Sequence, residues 1–265
     1  MRALRPGLHL LETEVEAFDV RAVVLVGTER AVVWDTLAHP EQMAPVPAVV
    51  GRLPVTVVYS HADWDHVWGT CALELGGSAA VPAGVQEVVA CAATAARFEG
   101  EVQADLGRRR SDAPPGALDD VRLVPPSRSF AGSLAVGLGG ATLHLHPLPG
   151  HTPDCLVGLV PEWGVLLAGD TVETPLPVVN DGAAVPAWIA GLERWAADAR
   201  VTSVVPSHGR LGGRALIEET AAYLRSLLEG RTPAEAAAPG SAPPLTPFDA
   251  STHARNLEQV QGMAG

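Results

Sequence analysis

Lysine is absent from this 265-residue chain: all 18 basic residues are arginine, set against 30 acidic ones for a formal net charge of −12. So acidic a balance repels nucleic-acid backbones and anionic membrane surfaces. The only basic run, Arg108-Arg109-Arg110, is too short to reverse that and is expected as a solvated loop or helix end. Cysteine is scarce as well. Cys71, Cys91 and Cys155 are far apart and odd in number, which argues against a disulfide framework and fits reduced thiols in a cytoplasmic protein. Long apolar runs are missing too: nothing reaches the roughly 18 consecutive apolar residues of a membrane span. The opening MRALRPGLHLLETEVEAF has no apolar stretch leading to a small-residue cleavage site, so no secretory signal is expected.

What is present is enough apolar material, 47% of residues, for one large globular domain or two small ones. Strand-like runs come first, at 8–15, 20–27, 30–36 and 54–60, the last nearly continuous in apolar residues as in a strand buried on both faces. Helical patterns are expected at 66–75 and at 84–98, where Val85, Val88, Val89 and Ala92 recur at helical spacing. Residues 100–120 read as a loop or a helix ending at Pro114-Pro115. Strands resume at 134–137, 141–147, 155–160 and 164–169, the last two as a hairpin. A helix (186–199), a strand (201–206) and a helix (213–228) follow. The Ala/Pro-rich stretch 231–246 reads as a linker before a last helix near 250–261. The expected organisation is a domain over 1–230, with 231–265 a linker and helix packed on it. Strand runs alternating with helices suggest two sheets with helices outside.

Residues 61–66, HADWDH, hold four metal-binding side chains directly after an apolar strand. In extended chain, residues two apart face the same side, so His61 and Asp63 can reach one ion. Asp65 and His66 sit where the chain turns into a helix and can face a second. Three later stretches share one grammar, an apolar strand ending in a ligand with glycine nearby: PGHTPD with His151, LLAGDTVE with Asp170 and VVPSHG with His208. Ligands at one edge of a sheet can converge on a single cleft.

Taken together, His61-Ala-Asp63-Trp-Asp65-His66, His151, Asp170 and His208 resemble the HxHxDH signature and downstream His, Asp and His of the metallo-β-lactamase fold family, from residue 8 to about 228. The resemblance implies an α/β fold, an αββα four-layer sandwich of two mixed sheets with helices on the outer faces. It also implies a dinuclear metal site. His61, Asp63 and His151 would bind the first ion, Asp65, His66 and His208 the second, and Asp170 would bridge both. Two divalent ions, zinc first, would share a water held as hydroxide that attacks an ester-like bond; Asp65 would orient it.

Asp63 stands where the family usually has histidine. Its carboxylate makes the site one unit more negative, from which a less acidic bound water is expected, and it raises the odds of iron or manganese. A di-iron oxidoreductase of this fold, whose signature carries an acidic residue at this position, and a silent binding protein are the alternatives. The activity expected is hydrolysis of an ester, lactone, thioester or phosphoester of a small cytoplasmic molecule, without nucleic acid or membrane as partner; a homodimer is left open. Trp64, Glu173 and Asn180 are candidate substrate contacts. Cys155 is expected as a small buried residue, and His253 with Asn256 is a candidate for folding back over the site.

Overall fold

The computed structural model describes residues 1–16, 18–74, 84–232 and 246–262. The chain divides into two compact units, Met1–Leu145 and His146–Gly265. In the first, strands β1 (Arg2–Arg5), β2 (Leu8–Val15), β3 (Phe18–Val26), β4 (Ala31–Trp34), β5 (Val55–Val58), β6 (Val85–Cys91) and β7 (Arg128–Phe130) lie side by side in sequence order. β1 to β4 pair antiparallel, and β4 to β7 pair parallel. The change of sense follows from the connections. Hairpin turns join the early strands, whereas parallel neighbours need crossovers. Helix α1 (Val46–Val50) lies in the first crossover, α2 (Trp64–Val67) and α3 (Cys71–Glu74) in the second, and α4 (Ala92–Arg97) and α5 (Glu101–Asp112) in the third.

Burial explains the composition of these strands. β4 (AVVW) and β5 (VTVV) are buried throughout, as central strands covered on both faces must be. On β2 the outward Glu12 sits opposite Arg21 of β3 and bonds both Arg21 and Arg2. The core of the unit gathers Val24, Val33, Val57, Trp68, Val88 and Val102, and Tyr59 stacks on Phe98 at 5.7 Å between ring centroids.

One expectation is corrected here. Residues 85–91 form a strand, not the start of a helix over 84–98; only Ala92–Arg97 is helical. VQEVVAC fits both periods, and the β-branched run is drawn into the open parallel edge of β5, where Val57 and Val58 pair with Val88 and Val89. Of the two readings for 100–120, the helix holds: α5 ends at Asp112, with Ala113 extended before Pro114. The arginine run lies on it. Arg108 pairs with Asp105, Arg110 donates to the Leu118 and Val121 carbonyls, and Arg109 lies over Trp64.

The hairpin of β8 (Leu134–Gly137) and β9 (Thr142–Pro147) carries the chain to the second unit. There β10 (Leu156–Val160) and β11 (Val165–Gly169) form the expected antiparallel hairpin, and β12 (Ser203–Pro206) joins β11 in parallel after α6 (Val185–Ala197). Helix α7 (Ala215–Leu228) packs with α6 around Trp188, Leu192, Leu216 and Leu224. The last helix, α8 (Pro247–Gln261), starts earlier than expected because Thr246 and Asp249 close a capping box with Pro247 at the first turn. Most of the linker expected at 231–246, residues 233–245, lies outside the described residues. Among the described residues no helix is long and apolar enough to cross a membrane.

Candidate metal centre

In the first unit the candidate residues follow β5. Ser60, His61, Asp65 and His66 are buried and Asp63 is partly so. Asp63 takes the N-cap position of α2 with extended backbone, φ −69° and ψ 151°, yet makes no capping hydrogen bond with its side chain. Its carboxylate goes elsewhere: Oδ1 accepts from Arg97 Nη2 at 2.7 Å, while Oδ2 is 3.6 Å from His61 Nε2. Asp65 Oδ2 is likewise 3.6 Å from His66 Nε2, and the two imidazoles lie 4.1 Å apart between centroids.

Both imidazoles are oriented by one residue that the sequence did not single out, Asp35. It follows β4 with a left-handed backbone, φ 60°, a conformation aspartate tolerates better than most residues. Asp35 Oδ1 accepts from the Ser60 amide at 2.7 Å, and Oδ2 accepts from Ser60 Oγ at 2.7 Å and faces His66 Nδ1 at 3.0 Å. Since the Ser60 hydroxyl proton points at Asp35, its oxygen receives the His61 Nδ1 proton at 2.9 Å. Both rings are thereby set with the proton on Nδ1 and the lone pair on Nε2, the pattern by which proteins orient metal-binding histidine. The same backbone corner holds the helix: the Thr36 amide and hydroxyl both donate to the His66 carbonyl. Gly69 permits this approach, because an added Cβ would lie 1.9 Å from the Thr36 oxygen. The signal for Asp35 was in the sequence: it too ends an apolar strand, but without the neighbouring glycine.

In the second unit three loops at strand ends carry His151, Asp170 and His208. Asp170 Oδ2 lies 3.7 Å from His151 Nε2 and 3.2 Å from His208 Nε2. His151 Nδ1 donates to the Val178 carbonyl at 2.9 Å, which again leaves the lone pair on Nε2. His208 follows β12, and Gly209 beside it has φ 79° with Thr174 so close that an added Cβ would sit 2.2 Å from its carbonyl oxygen.

The segment after Asp170 wraps His151. Asn180 donates to the His151 carbonyl at 3.1 Å, and Glu173 Oε1 is 3.7 Å from His151 Nδ1. Burial, with Asp170 beside it, pushes the Glu173 carboxyl up to about 7. These two candidate substrate contacts thus both bear on a histidine. Trp64 lies against Phe18 and Trp68 at 6.3 and 5.6 Å, with Arg109 3.9 Å from its ring centroid. Burial drives the Cys155 thiol well above its usual range, so it stays a neutral packing residue, as expected.

Helix α8 reaches this loop. Asn256, fully buried, accepts from the Val179 amide at 2.9 Å and donates to the Pro177 carbonyl at 2.7 Å and to Tyr223 Oη at 3.0 Å. Tyr223 in turn meets His253 Nδ1 at 3.1 Å. The two backbone bonds bracket Val178, the residue whose carbonyl holds His151. Asn256→Ala is therefore expected to lower stability by about 2 kcal/mol and to weaken divalent-metal uptake. Unchanged uptake in equilibrium dialysis would mean that the loop holds His151 without the helix.

The donor chemistry fits divalent metal. Two atoms bound tetrahedrally to one zinc ion at its usual bond lengths are separated by about 3.4 Å, and the His–Asp pairs 61/63, 66/65, 151/170 and 208/170 span 3.2 to 3.7 Å. Within each unit, histidine and aspartate ligand atoms lie close enough to hold an ion, as Asp65 with His66 and His151 with Asp170.

A family model for the metallo-beta-lactamase superfamily matches residues 15–233, and the chain belongs to that superfamily. The expected α/β fold of this type, with two mixed sheets and helices, is what it has. A metallo-beta-lactamase family protein from Thermus thermophilus is similar over 99% of this chain and 95% of its own, with 19% identity and a TM-score of 0.68. A metallo-beta-lactamase from Pontibacter korlensis matches 82% of this chain and 94% of its own, with 22% identity and a TM-score of 0.62. In sequence, a hydroxyacylglutathione hydrolase from Anaeromyxobacter dehalogenans (strain 2CP-C) is 29% identical over 134 residues, covering 50% of this chain and 38% of that relative's length. Members of the superfamily are mostly hydrolases and typically bind metal ions, which supports a metal-dependent hydrolase in general terms.

Proposed function

We propose that this protein is a hydrolase of small ester-like molecules (esters, lactones, thioesters or phosphoesters), in which His61, Asp63 and His151 hold one divalent ion, Asp65, His66 and His208 a second, and Asp170 both. The observation that carries the reading is the shared arrangement of His61, His66 and His151. In each, Nδ1 is engaged by an oxygen and Nε2 faces an aspartate Oδ2 at 3.6–3.7 Å.

Bound there, two divalent ions supply a water acidified to act as nucleophile near neutral pH and a Lewis acid for the substrate's carbonyl or phosphoryl oxygen. The residues do the rest. Asp35 and Ser60 keep two imidazoles in the tautomer that binds metal, and Val178 does so for the third. Asp65 would accept a hydrogen bond from the attacking hydroxide and so fix its direction. Glu173 and Asn180 hold the His151 loop, and the exposure of Asn180 is compatible with a substrate contact as well. The buried thiol of Cys155 takes no part.

Elemental analysis of protein purified without added metal, followed by a panel of chromogenic esters, lactones, thioesters and phosphodiesters, tests the reading. Two zinc ions per chain and turnover of one ester class are expected. Two irons with a visible charge-transfer band would replace it with redox chemistry, and a chain that takes up no metal would leave only a binding role.

A further inference from the structure

The sequence counts Asp63 as one negative charge more than the histidine usual at its position. That count omits Arg97, 34 residues further on. We propose that Arg97 is an electrostatic partner of the metal centre that balances the charge of Asp63, so that the Asp63–Arg97 pair stands in for a neutral imidazole. The inference rests on the metal reading above and goes beyond it in assigning a role to a residue outside the ligand set.

Three observations carry it. The Asp63 carboxylate is divided between two tasks, Oδ1 on the guanidinium at 2.7 Å and Oδ2 toward His61 Nε2 at 3.6 Å, so one oxygen is directed to the ligand side and the other is committed. Asp63 spends no side-chain bond on capping α2, although that is the ordinary use of aspartate at such a position. Arg97 is fixed in turn: it closes α4, and its Nε and Nη2 hold Glu101 at 3.0 and 2.8 Å. The Arg97 side chain is only 18% exposed against 60% for Glu101. It is thus the inner partner of both pairs and less screened than a surface ion pair.

The physical consequence has a definite sign. Asp63 is short, with few torsions to freeze, and the backbone of the α2 start already fixes where its carboxylate lies. The guanidinium therefore acts chiefly through charge, which arginine keeps at any working pH. A fixed positive charge beside one ligand of a dication opposes its binding, and the aspartate offsets this. Removing either partner alone unbalances the site in opposite directions; removing both restores it.

The test measures zinc affinity by chelator competition in four full-length proteins: wild type, Asp63→His, Arg97→Gln and the double variant, with far-UV circular dichroism confirming the fold. Asp63→His is expected to bind zinc roughly tenfold more weakly despite its imidazole, Arg97→Gln roughly tenfold more tightly, and the double variant within about threefold of wild type. Arg97→Lys, which keeps the charge, should not rescue Asp63→His. Weaker binding by Arg97→Gln, or a double variant as weak as Asp63→His, would overturn the inference while leaving the metal centre standing. A wild type without zinc affinity would remove the metal centre itself and the inference with it.

Discussion

Asp35→Ala is expected to yield a folded protein that binds divalent metal about 10–100-fold more weakly and turns over substrate correspondingly slowly. The side chain makes no contact that a ligand set would include. It accepts the Ser60 amide and hydroxyl and faces His66 Nδ1, so its loss frees two imidazoles at once. His66 loses its acceptor, and Ser60, no longer oriented, can turn its own proton toward His61. Either ring can then protonate Nε2 and withdraw its lone pair. Alanine also strains the left-handed backbone at φ 60°, which adds on the order of 1 kcal/mol of instability; Asp35→Gly removes that strain and separates the two effects. If the glycine variant takes up metal as tightly as wild type in isothermal titration, Asp35 does not orient the histidines.

Asp170→Ala is expected to cost more. Its Oδ2 lies 3.7 Å from His151 Nε2 and 3.2 Å from His208 Nε2, and its loss removes a carboxylate oxygen that the two histidines share. Turnover should fall at least about a thousandfold, equivalent to roughly 4 kcal/mol of transition-state stabilisation, with fewer ions retained per chain. The metal-free variant should fold normally, because a buried carboxylate is costly to desolvate in the absence of a cation. Turnover within tenfold of wild type would remove Asp170 from the site.

The metal-capable residues were legible because their chemistry is local. HADWDH presents four such side chains in one turn of chain, and His151, Asp170 and His208 each announce themselves at the end of an apolar strand. What supports them was not legible, because it arrives through pairing between distant segments. Asp35 meets Ser60 only because β4 and β5 run parallel in register, Trp34 opposite Val58. Arg97, at the end of α4 beyond β6, meets Asp63 in the β5–β6 crossover. The strand between them, β6, was itself misread, because VQEVVAC carries both periodicities and only the vacant sheet edge decides between them. Asn256 lies 77 positions from the amide it accepts, and no spacing rule connects them.

The Asn256 clamp also has a meaning in time. Its bonds to Pro177 and Val179 form and break together, since one side-chain amide makes both. Each excursion of α8 away from its neighbours would break both bonds that flank Val178, and with them the clamp on the segment whose carbonyl accepts the His151 Nδ1 proton. The lifetime of that clamp is then the docking lifetime of a helix, set by local opening on the scale of hydrogen exchange rather than by ring flips. A histidine on one loop is thus tied to the docking of an asparagine 105 positions further along the sequence.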